Sequence, residues 1–307
     1  MSVNLLESLS SLAARRLEGR RFERLRAAYR GMRKRLTPAM RFVYGTFTAD
    51  ELREHLEERL PNDFEVLMVH SSVDHMKPMY VGDPLQFVRT LTDFCGPDRT
   101  LVMPTFYFGD PAIGGARNTF QRKPVLDLRR TPSQMGLATE LFRRSGGVVS
   151  SRHPVYRVSA LGPLADELTQ GHEYAETPSG KGTPFDRMTA CRTLILGIGK
   201  PFEVLTQVHH AEDLMGDDFP VPRGPKAEPV QMTLVDGKIK IPFRLGGQGS
   251  IRGRRNMWRL RRIMSRERLR EWRFHGVPMF ATYAEHVTHD IMAAAERGLT
   301  LYEQRLL

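Results

Sequence analysis

Hydrophobic positions form short continuous runs that alternate with helical patterns along most of the chain. The runs Val66–His70, Thr100–Pro104 and Thr193–Gly197 predict strands that are buried on both faces. The predicted helices span Pro84–Phe94, Ser133–Arg144, Phe202–Met215 and, near the C-terminus, Phe280–Arg297. Because buried strands separated by helices form a sheet that is covered on both sides, this pattern predicts an α/β fold.

Two local signals add detail to this pattern. Thr48 followed by Glu51 is a capping box, which predicts a helix from there to about Leu60. Asp236-Gly237 separates two runs of alternating hydrophobicity, which is typical of a β-hairpin. The sequence therefore predicts an α/β sheet with an added hairpin.

The two basic segments of the chain stand apart from a mildly acidic remainder. The net charge is +11; residues 1–43 hold eleven Lys and Arg against three Glu, and residues 251–273 hold ten Arg against two Glu. We therefore divide the chain into a basic helical extension (1–43), a main domain (44–250), and an Arg-rich arm with a C-terminal helix that completes it (251–307). Each basic segment is either a contact for phosphates, an anionic membrane or nucleic acid, or simply a solvated helix face.

Composition excludes several classes of protein. Cys95 and Cys191 are the two cysteines, which is too few for a disulfide scaffold, and they lack the spacing of metal ligands. A signal peptide is not apparent, and no run of 18 apolar residues could span a membrane. We expect a cytoplasmic protein.

The first candidate for chemistry is the pair His209 and Glu212. Three residues apart on a helix, they share one face, and a carboxylate beside an imidazole fixes its tautomer and raises its basicity. Such a histidine can take a proton from an amine. The alternatives are a surface ion pair and a metal site. Against a metal, His210 points about 100° away from His209 around the helix, and no further histidine has zincin spacing.

Three other segments are candidates for binding. His70, Ser71 and Ser72 end a predicted strand, where ligands of α/β sheets gather, although serines also cap turns there. The start of the Ser133 helix can accept a phosphate, or can be an ordinary capped helix. His153 precedes a proline and is therefore on extended backbone, in either a functional or a structural role.

The order of these segments resembles the aminoglycoside 3-N-acetyltransferase family, also called the antibiotic N-acetyltransferase family. The similar stretches are Val69–Ser72, Gly96–Thr105, Pro132–Gly136, His153-Pro154, Gly162 with Ala165, Gly171-His172, Gly182–Pro184, Leu194–Gly197, and Thr206, His209, Ala211 and Glu212. They cover about residues 44–215. Leu101–Thr105 and the His-x-Ala-Glu stretch are the most specific of them.

The resemblance implies a three-layer α/β/α fold around a mostly parallel or mixed sheet, and makes residues 44–250 an acetyl-CoA-dependent N-acetyltransferase domain. It implies acetyl-CoA as the donor, direct transfer to an amine, no metal, and a homodimer. His209 would be the base, Glu212 would orient it, and His153 would lie nearby as a third catalytic residue. The expected donor contacts are His70, Ser71, Ser72, Thr105, Ser133, Met135 and Gly136.

The chain departs from the family pattern at positions where donor or acceptor would pass. Ser150 stands where the family usually has arginine, and Arg157 where it usually has serine. A second serine cluster is replaced by Val73–Met76. We assign Asp74, Arg157 and Asp213 to the acceptor.

The Arg-rich segments suit an acceptor such as a nucleotide-linked or lipid-linked amino sugar. The sequence therefore predicts a biosynthetic N-acetyltransferase for a surface polysaccharide or a secondary metabolite. The alternatives are an aminoglycoside resistance enzyme, a basic protein that binds nucleic acid or a membrane surface, and a metal-dependent hydrolase.

Overall fold

The computed structural model describes residues 31, 35–246, 249 and 251–303. Contacts divide the chain into two units, Met1–Thr46 and Phe47–Leu307. In the first unit the described residues 31 and 35–44 are helical. The other positions of the predicted basic helical extension up to residue 34 lie outside the described residues.

The second unit contains both classes of element in alternation. Its helices are α1 (Ala49–Arg59), α2 (Val73–Met76), α3 (Pro84–Cys95), α4 (Gly115–Arg122), α5 (Leu137–Arg143), α6 (Ala165–Thr169), α7 (Pro184–Ala190), α8 (Val208–Met215), α9 (Leu260–Ile263) and α10 (Ala284–Glu296). Its strands are β1 (Val66–Ser71), β2 (Thr100–Pro104), β3 (Val125–Asp127), β4 (Val149–Ser150), β5 (Val158–Leu161), β6 (Thr193–Ile198), β7 (Val230–Asp236), β8 (Ile239–Leu245), β9 (Arg254–Arg255), β10 (Arg270–Phe274), β11 (Val277–Tyr283) and β12 (Tyr302–Glu303).

A mixed seven-stranded sheet forms the centre of this unit, in the order β10-β11-β6-β1-β2-β5-β4. The three middle strands, β6, β1 and β2, are parallel and come from the three predicted apolar runs. The strands on either side of them are antiparallel to their neighbours. A second sheet, β3-β7-β8, contains the predicted hairpin.

Helices cover the central sheet on both sides, which confirms the three-layer α/β/α fold. On one side, Val66 and Met68 of β1 belong to a large core that includes residues of α7, α8 and α10. The alternate residues Leu67 and Val69 are equally buried but lie outside that core, because successive side chains of a strand point to opposite faces. On the other side α3 packs against α1 and α5.

Local signals gave the right boundaries at the start of α1 and at the hairpin. Thr48 accepts a hydrogen bond from the Glu51 backbone, and Glu51 accepts one from Thr48, so the capping box is formed as predicted. Strands β7 and β8 pair across Asp236 and Gly237.

Three predicted helices begin later than expected, because the residues before them adopt another backbone structure. Residues 133–136 precede α5, since Gly136 has a φ of 116°, which no right-handed helix accepts. A separate 3₁₀ turn, Phe202–Val204, comes before α8. Phe280 begins no helix: it lies in β11, where pairing with β6 overrides the helical pattern.

The Arg-rich arm is folded into the second unit. It contributes β9, α9 and the edge strand β10. Several of its charges are paired internally, for example Arg261 with Glu271 at 2.7 Å. Within the described residues, no helix has the length and apolar character needed to span a membrane.

Candidate active site

A cavity of about 530 Å³ opens beside α8. Helix α8 contributes His209, Glu212 and Asp213 to its wall. The other walls come from the loop of His153–Tyr156, the end of the hairpin, and Arg255 with Tyr302. Residues far apart in sequence therefore converge on the predicted base.

His209 and Glu212 form the pair that their spacing predicted. Nδ1 of His209 lies 3.4 Å from Oε2 of Glu212. The histidine side chain is 32% exposed and the carboxylate only 3%, so the imidazole faces the cavity and the carboxylate stands behind it. This is the arrangement that a general base with an orienting carboxylate requires.

The neighbouring His210 has a different environment. It is fully buried, and its Nδ1 donates a hydrogen bond of 2.6 Å to the Ser179 carbonyl. Burial lowers the pKa of His210. Among the described residues, no group of three or more His, Cys, Asp or Glu side chains is placed to hold a metal ion.

Arg255 is the site residue that sequence reasoning missed. Its guanidinium approaches both ring nitrogens of His209 at 3.2 Å, and donates hydrogen bonds to Glu212 Oε2 and to the Tyr302 hydroxyl. Arg255 faces Tyr302 across the pairing of β9 with β12. The sequence showed it only as one arginine among ten in a basic segment, with no local signal that sets it apart.

Tyr156 and Asp213 complete the surroundings of His209. The Tyr156 ring lies edge-on to His209, with 6.1 Å between ring centroids, and burial raises the pKa of its hydroxyl. Asp213 accepts hydrogen bonds of 3.1 Å from the backbone and the hydroxyl of Ser179. It also lies 3.4 Å from Arg223. The structure thus places Asp213 on the cavity wall, and its role as an acceptor contact stays a prediction.

His153 lines the same cavity but is held in a structural network. Its Nδ1 accepts hydrogen bonds from the backbone of Val155 at 3.1 Å and Tyr156 at 2.8 Å. Its ring stacks on that of His172, with the centroids 4.6 Å apart. Burial, followed by the nearby His172, holds the pKa of His153 well below 6.5, so the ring is neutral. Since Nδ1 is an acceptor, the ring hydrogen is on Nε2.

The expected donor contacts fall into two groups: one at the end of β1, and one made of Thr105, which follows β2, and the segment before α5. His70 is buried, with Nε2 3.4 Å from the Thr206 hydroxyl, and burial lowers its pKa to about 4. Ser71 ends β1, and the Ser72 hydroxyl lies 2.6 Å from Nδ1 of His75. These residues are separate from the cavity wall around His209.

The second group combines exposed and buried residues. The Ser133 hydroxyl accepts a 3.1 Å hydrogen bond from the backbone of Met135, and Met135 packs against the core. Gly136 is exposed. Thr105 is fully buried, and its hydroxyl donates a 3.1 Å hydrogen bond to the Arg157 carbonyl. The Thr105 hydroxyl is therefore engaged inside the protein, and its role as a donor contact stays a prediction.

The other two expected acceptor contacts lie away from the cavity wall. Asp74 is exposed on α2. Arg157 is 2% exposed, and its two terminal nitrogens donate to the carbonyls of Leu128 at 2.5 Å and Thr131 at 3.0 Å. The structure thus gives the two terminal nitrogens of Arg157 internal partners in place of the expected acceptor, while its buried Nε has no hydrogen-bond partner among the described residues.

Known proteins share this fold. The aminoglycoside acetyltransferase AAC(3)-Xa superposes with a TM-score of 0.68 at 21% identity, over 87% of this chain and 99% of that one. A structure titled "AAC-IIIb binary with CoASH" gives a TM-score of 0.67 at 18% identity, over 84% of this chain and 100% of that one.

Curated sequences extend the likeness beyond the fold. Aminoglycoside N(3)-acetyltransferase VII of Streptomyces paromomycinus is 31% identical over 204 residues, which cover 63% of this chain and 68% of that protein. Aminoglycoside N(3)-acetyltransferase IX of Micromonospora chalcea is 28% identical over 180 residues, 55% of this chain and 63% of that protein.

These similarities define the class of protein as an acyltransferase. The family model described as aminoglycoside 3-N-acetyltransferase matches residues 68–292. The chain therefore belongs to the aminoglycoside 3-N-acetyltransferase family, as the order of its motifs predicted. The donor that this family uses is acetyl-CoA.

Proposed function

We propose that this chain transfers the acetyl group of acetyl-CoA directly to an amino group of an amino sugar or aminoglycoside-like acceptor. The observation that carries the proposal is the His209–Glu212 pair, in which an accessible imidazole is backed by a buried carboxylate at 3.4 Å. In this proposal His209 is the general base and Glu212 orients it.

The reaction needs a base because alkylamines are mostly protonated at neutral pH. His209 first takes a proton from the ammonium form and passes it to solvent, and the free amine nitrogen then attacks the thioester carbonyl carbon. The C–N bond forms and the C–S bond breaks, the nitrogen gives its second proton to His209, and that proton goes to the departing coenzyme A thiolate. Positioned proton transfer of this kind contributes about 10²–10⁴-fold to a rate.

The charges on the cavity wall favour an acceptor that is not a strong polycation. Three arginines line the cavity together with three carboxylates, so the wall is balanced rather than acidic. The wall residues with formal charge are Glu176, Glu212, Asp213, Arg223, Arg244 and Arg255. A site specialised for a polycation would present a surplus of carboxylates. We therefore favour a biosynthetic role, on a nucleotide-linked or lipid-linked amino sugar, over antibiotic resistance.

The proposal includes a homodimer, on the basis of the family resemblance. It also includes a cytoplasmic location, on the basis of the amino-acid sequence. A role of the Arg-rich arm in binding nucleic acid or membranes has less support, because arginines such as Arg261 and Arg268 are paired with carboxylates of the same chain.

The test combines titration calorimetry of acetyl-CoA with a thiol-release assay on a panel of amines. We expect His209→Gln to keep donor affinity and to lose turnover by about 10²–10⁴-fold. His289→Gln is the matched control, since His289 is a histidine with a 72% exposed side chain on α10. Unchanged turnover in His209→Gln, or failure to bind acetyl-CoA, would overturn the proposal.

The panel itself separates the two roles. It contains free aminoglycosides, nucleotide-linked amino sugars, lipid-linked amino sugars and simple amino sugars. Acetylation of nucleotide- or lipid-linked amino sugars supports the biosynthetic role. Acetylation restricted to free aminoglycosides contradicts it and supports the resistance role.

A further inference from the structure

We propose that Arg255 is a positioning residue for the transfer reaction, which holds the His209 ring and the Glu212 carboxylate in their working arrangement. The inference rests on the proposed function of His209 as the base. It concerns a different residue, on a different element, 46 positions away in sequence.

The distances show how the guanidinium meets the imidazole. Nη1 of Arg255 is 3.2 Å from Nδ1 and 3.2 Å from Nε2 of His209, and Nη2 is 3.3 Å from Nδ1. In an imidazole, Cε1 lies between the two nitrogens. An in-plane approach at equal distance from both would bring Nη1 well inside van der Waals contact with Cε1. The guanidinium therefore lies over the face of the ring.

Stacking has a consequence for the chemistry. A group over the ring face uses neither in-plane nitrogen position. Nδ1 remains directed to Glu212, and Nε2 remains available to an amine in the cavity. Tyr156 meets the ring edge-on, so the imidazole is restricted by Arg255, Glu212 and Tyr156 together.

The same guanidinium stabilises the carboxylate behind the base. The Glu212 side chain is 3% exposed, and a buried carboxylate is costly unless it is paired and hydrogen-bonded. Arg255 donates to its Oε2, and its Nε donates to the Tyr302 hydroxyl at 2.9 Å. The Arg255 guanidinium also lies 5.1 Å from the Tyr302 ring centroid. One planar cation thus fixes both members of the pair.

Shape as well as charge is needed for these contacts. A guanidinium is planar and presents its donors as a rigid fork, while a lysine ammonium is a compact point charge that cannot stack on a ring. Lysine could still pair with Glu212. The Arg255→Lys variant therefore separates positioning of the ring from neutralisation of the carboxylate.

The experiment measures kcat, both KM values and the affinity for acetyl-CoA in the full chain, with an acceptor that the panel has identified. The variants are Arg255→Ala and Arg255→Lys. The control is Arg254→Ala, since Arg254 is the exposed neighbour on the same strand. Assays of Arg255→Ala are repeated with added millimolar guanidinium, which can occupy the vacated space. Thermal unfolding of each variant shows whether it is folded.

We expect kcat of Arg255→Ala to fall about 100-fold, because misplacing a catalytic group by about 1 Å costs about that much. In Arg255→Ala we expect the KM values and the donor affinity to stay within about threefold of the parent protein. Added guanidinium should raise the kcat of this variant at least tenfold. The kcat of Arg255→Lys should stay at least tenfold below that of the parent protein. Arg254→Ala should match the parent protein.

Four results would overturn the inference. An unchanged kcat in Arg255→Ala would show that the contact of Arg255 with His209 and Glu212 has no effect on the reaction. A raised kcat would show that Arg255 obstructs the cavity. Full activity of Arg255→Lys would show that Arg255 only neutralises the Glu212 carboxylate and does not position the ring. A loss of kcat without guanidinium rescue would indicate a structural defect. If His209→Gln keeps its turnover, the proposed function fails as well; if only the Arg255 variants stay active, this inference alone fails.

Discussion

At the scale of single residues, burial and partners separate side chains of the same type. Arg157 and Arg255 are both arginines with internal contacts, but Arg157 is 2% exposed and bound to two backbone carbonyls. Arg255 stands on the cavity wall against a histidine and a carboxylate. The first supports the fold, and the second is placed to act on the reaction.

This difference gives a test of Arg157, which the sequence assigned to the acceptor. In Arg157→Met the carbonyls of Leu128 and Thr131 lose their donors inside the protein. We expect the free energy of unfolding to fall by about 2–4 kcal/mol, measured by urea denaturation. The KM for the acceptor should change little.

Arg130→Met is the control, because the Arg130 side chain is 91% exposed and its loss should be nearly neutral. A raised acceptor KM in Arg157→Met at unchanged stability would restore the original assignment of Arg157 to the acceptor.

At the scale of elements, strand β11 shows how pairing overrides a helical pattern. Phe280 lies opposite Gly197 of β6 in the antiparallel register. A Cβ added at Gly197 would lie 1.9 Å from Cε1 of Phe280. The glycine therefore makes room for a large aromatic side chain, which is fully buried in the core.

The close approach predicts an overpacking defect. We expect Gly197→Ala to lower the free energy of unfolding by about 1–3 kcal/mol in urea denaturation, because the ring must move. The double variant Gly197→Ala/Phe280→Leu should lose less stability than the sum of the losses of the two single variants.

Gly146→Ala serves as the control, since a Cβ there has nothing within 4 Å and its φ is ordinary. Additive costs of Gly197→Ala and Phe280→Leu would contradict the steric explanation.

At the scale of the whole molecule, burial of neutral histidines links stability to pH. Burial lowers the pKa of His70 and of His172 from 6.5 to about 4 in the folded protein. Above pH 6.5 the histidines are neutral in both states and contribute no pH dependence. As the pH falls from 6.5 towards 4, the unfolded chain takes up protons that the folded protein does not bind.

Stability should therefore fall with acidification through this window. We expect each histidine to lower the free energy of unfolding by about 1 kcal/mol per pH unit below 6.5. Urea denaturation at several pH values between 7 and 4.5 measures the slope. His172→Gln should reduce the slope and His289→Gln should not. A stability that is constant from pH 7 to pH 5 would contradict the prediction.

Features that depend on neighbours within a few positions could be predicted from the sequence. The capping box of α1, the turn at Gly237 and the shared face of His209 and Glu212 all follow from backbone geometry over two to four residues. The three apolar runs gave the parallel centre of the sheet, because a strand buried on both faces needs apolar side chains throughout. The ordered motifs then gave the family.

Contacts between distant parts of the chain follow only from the packed structure. Arg255 reaches His209 where β9 pairs with β12, whose Tyr302 is 47 positions further on. Arg157 donates to the carbonyls of Leu128 and Thr131, which come from a different loop. Such contacts depend on the free energy of the whole packed structure, so a basic residue in the sequence carries no mark of whether it will be a solvated charge, a buried support or a contact of His209.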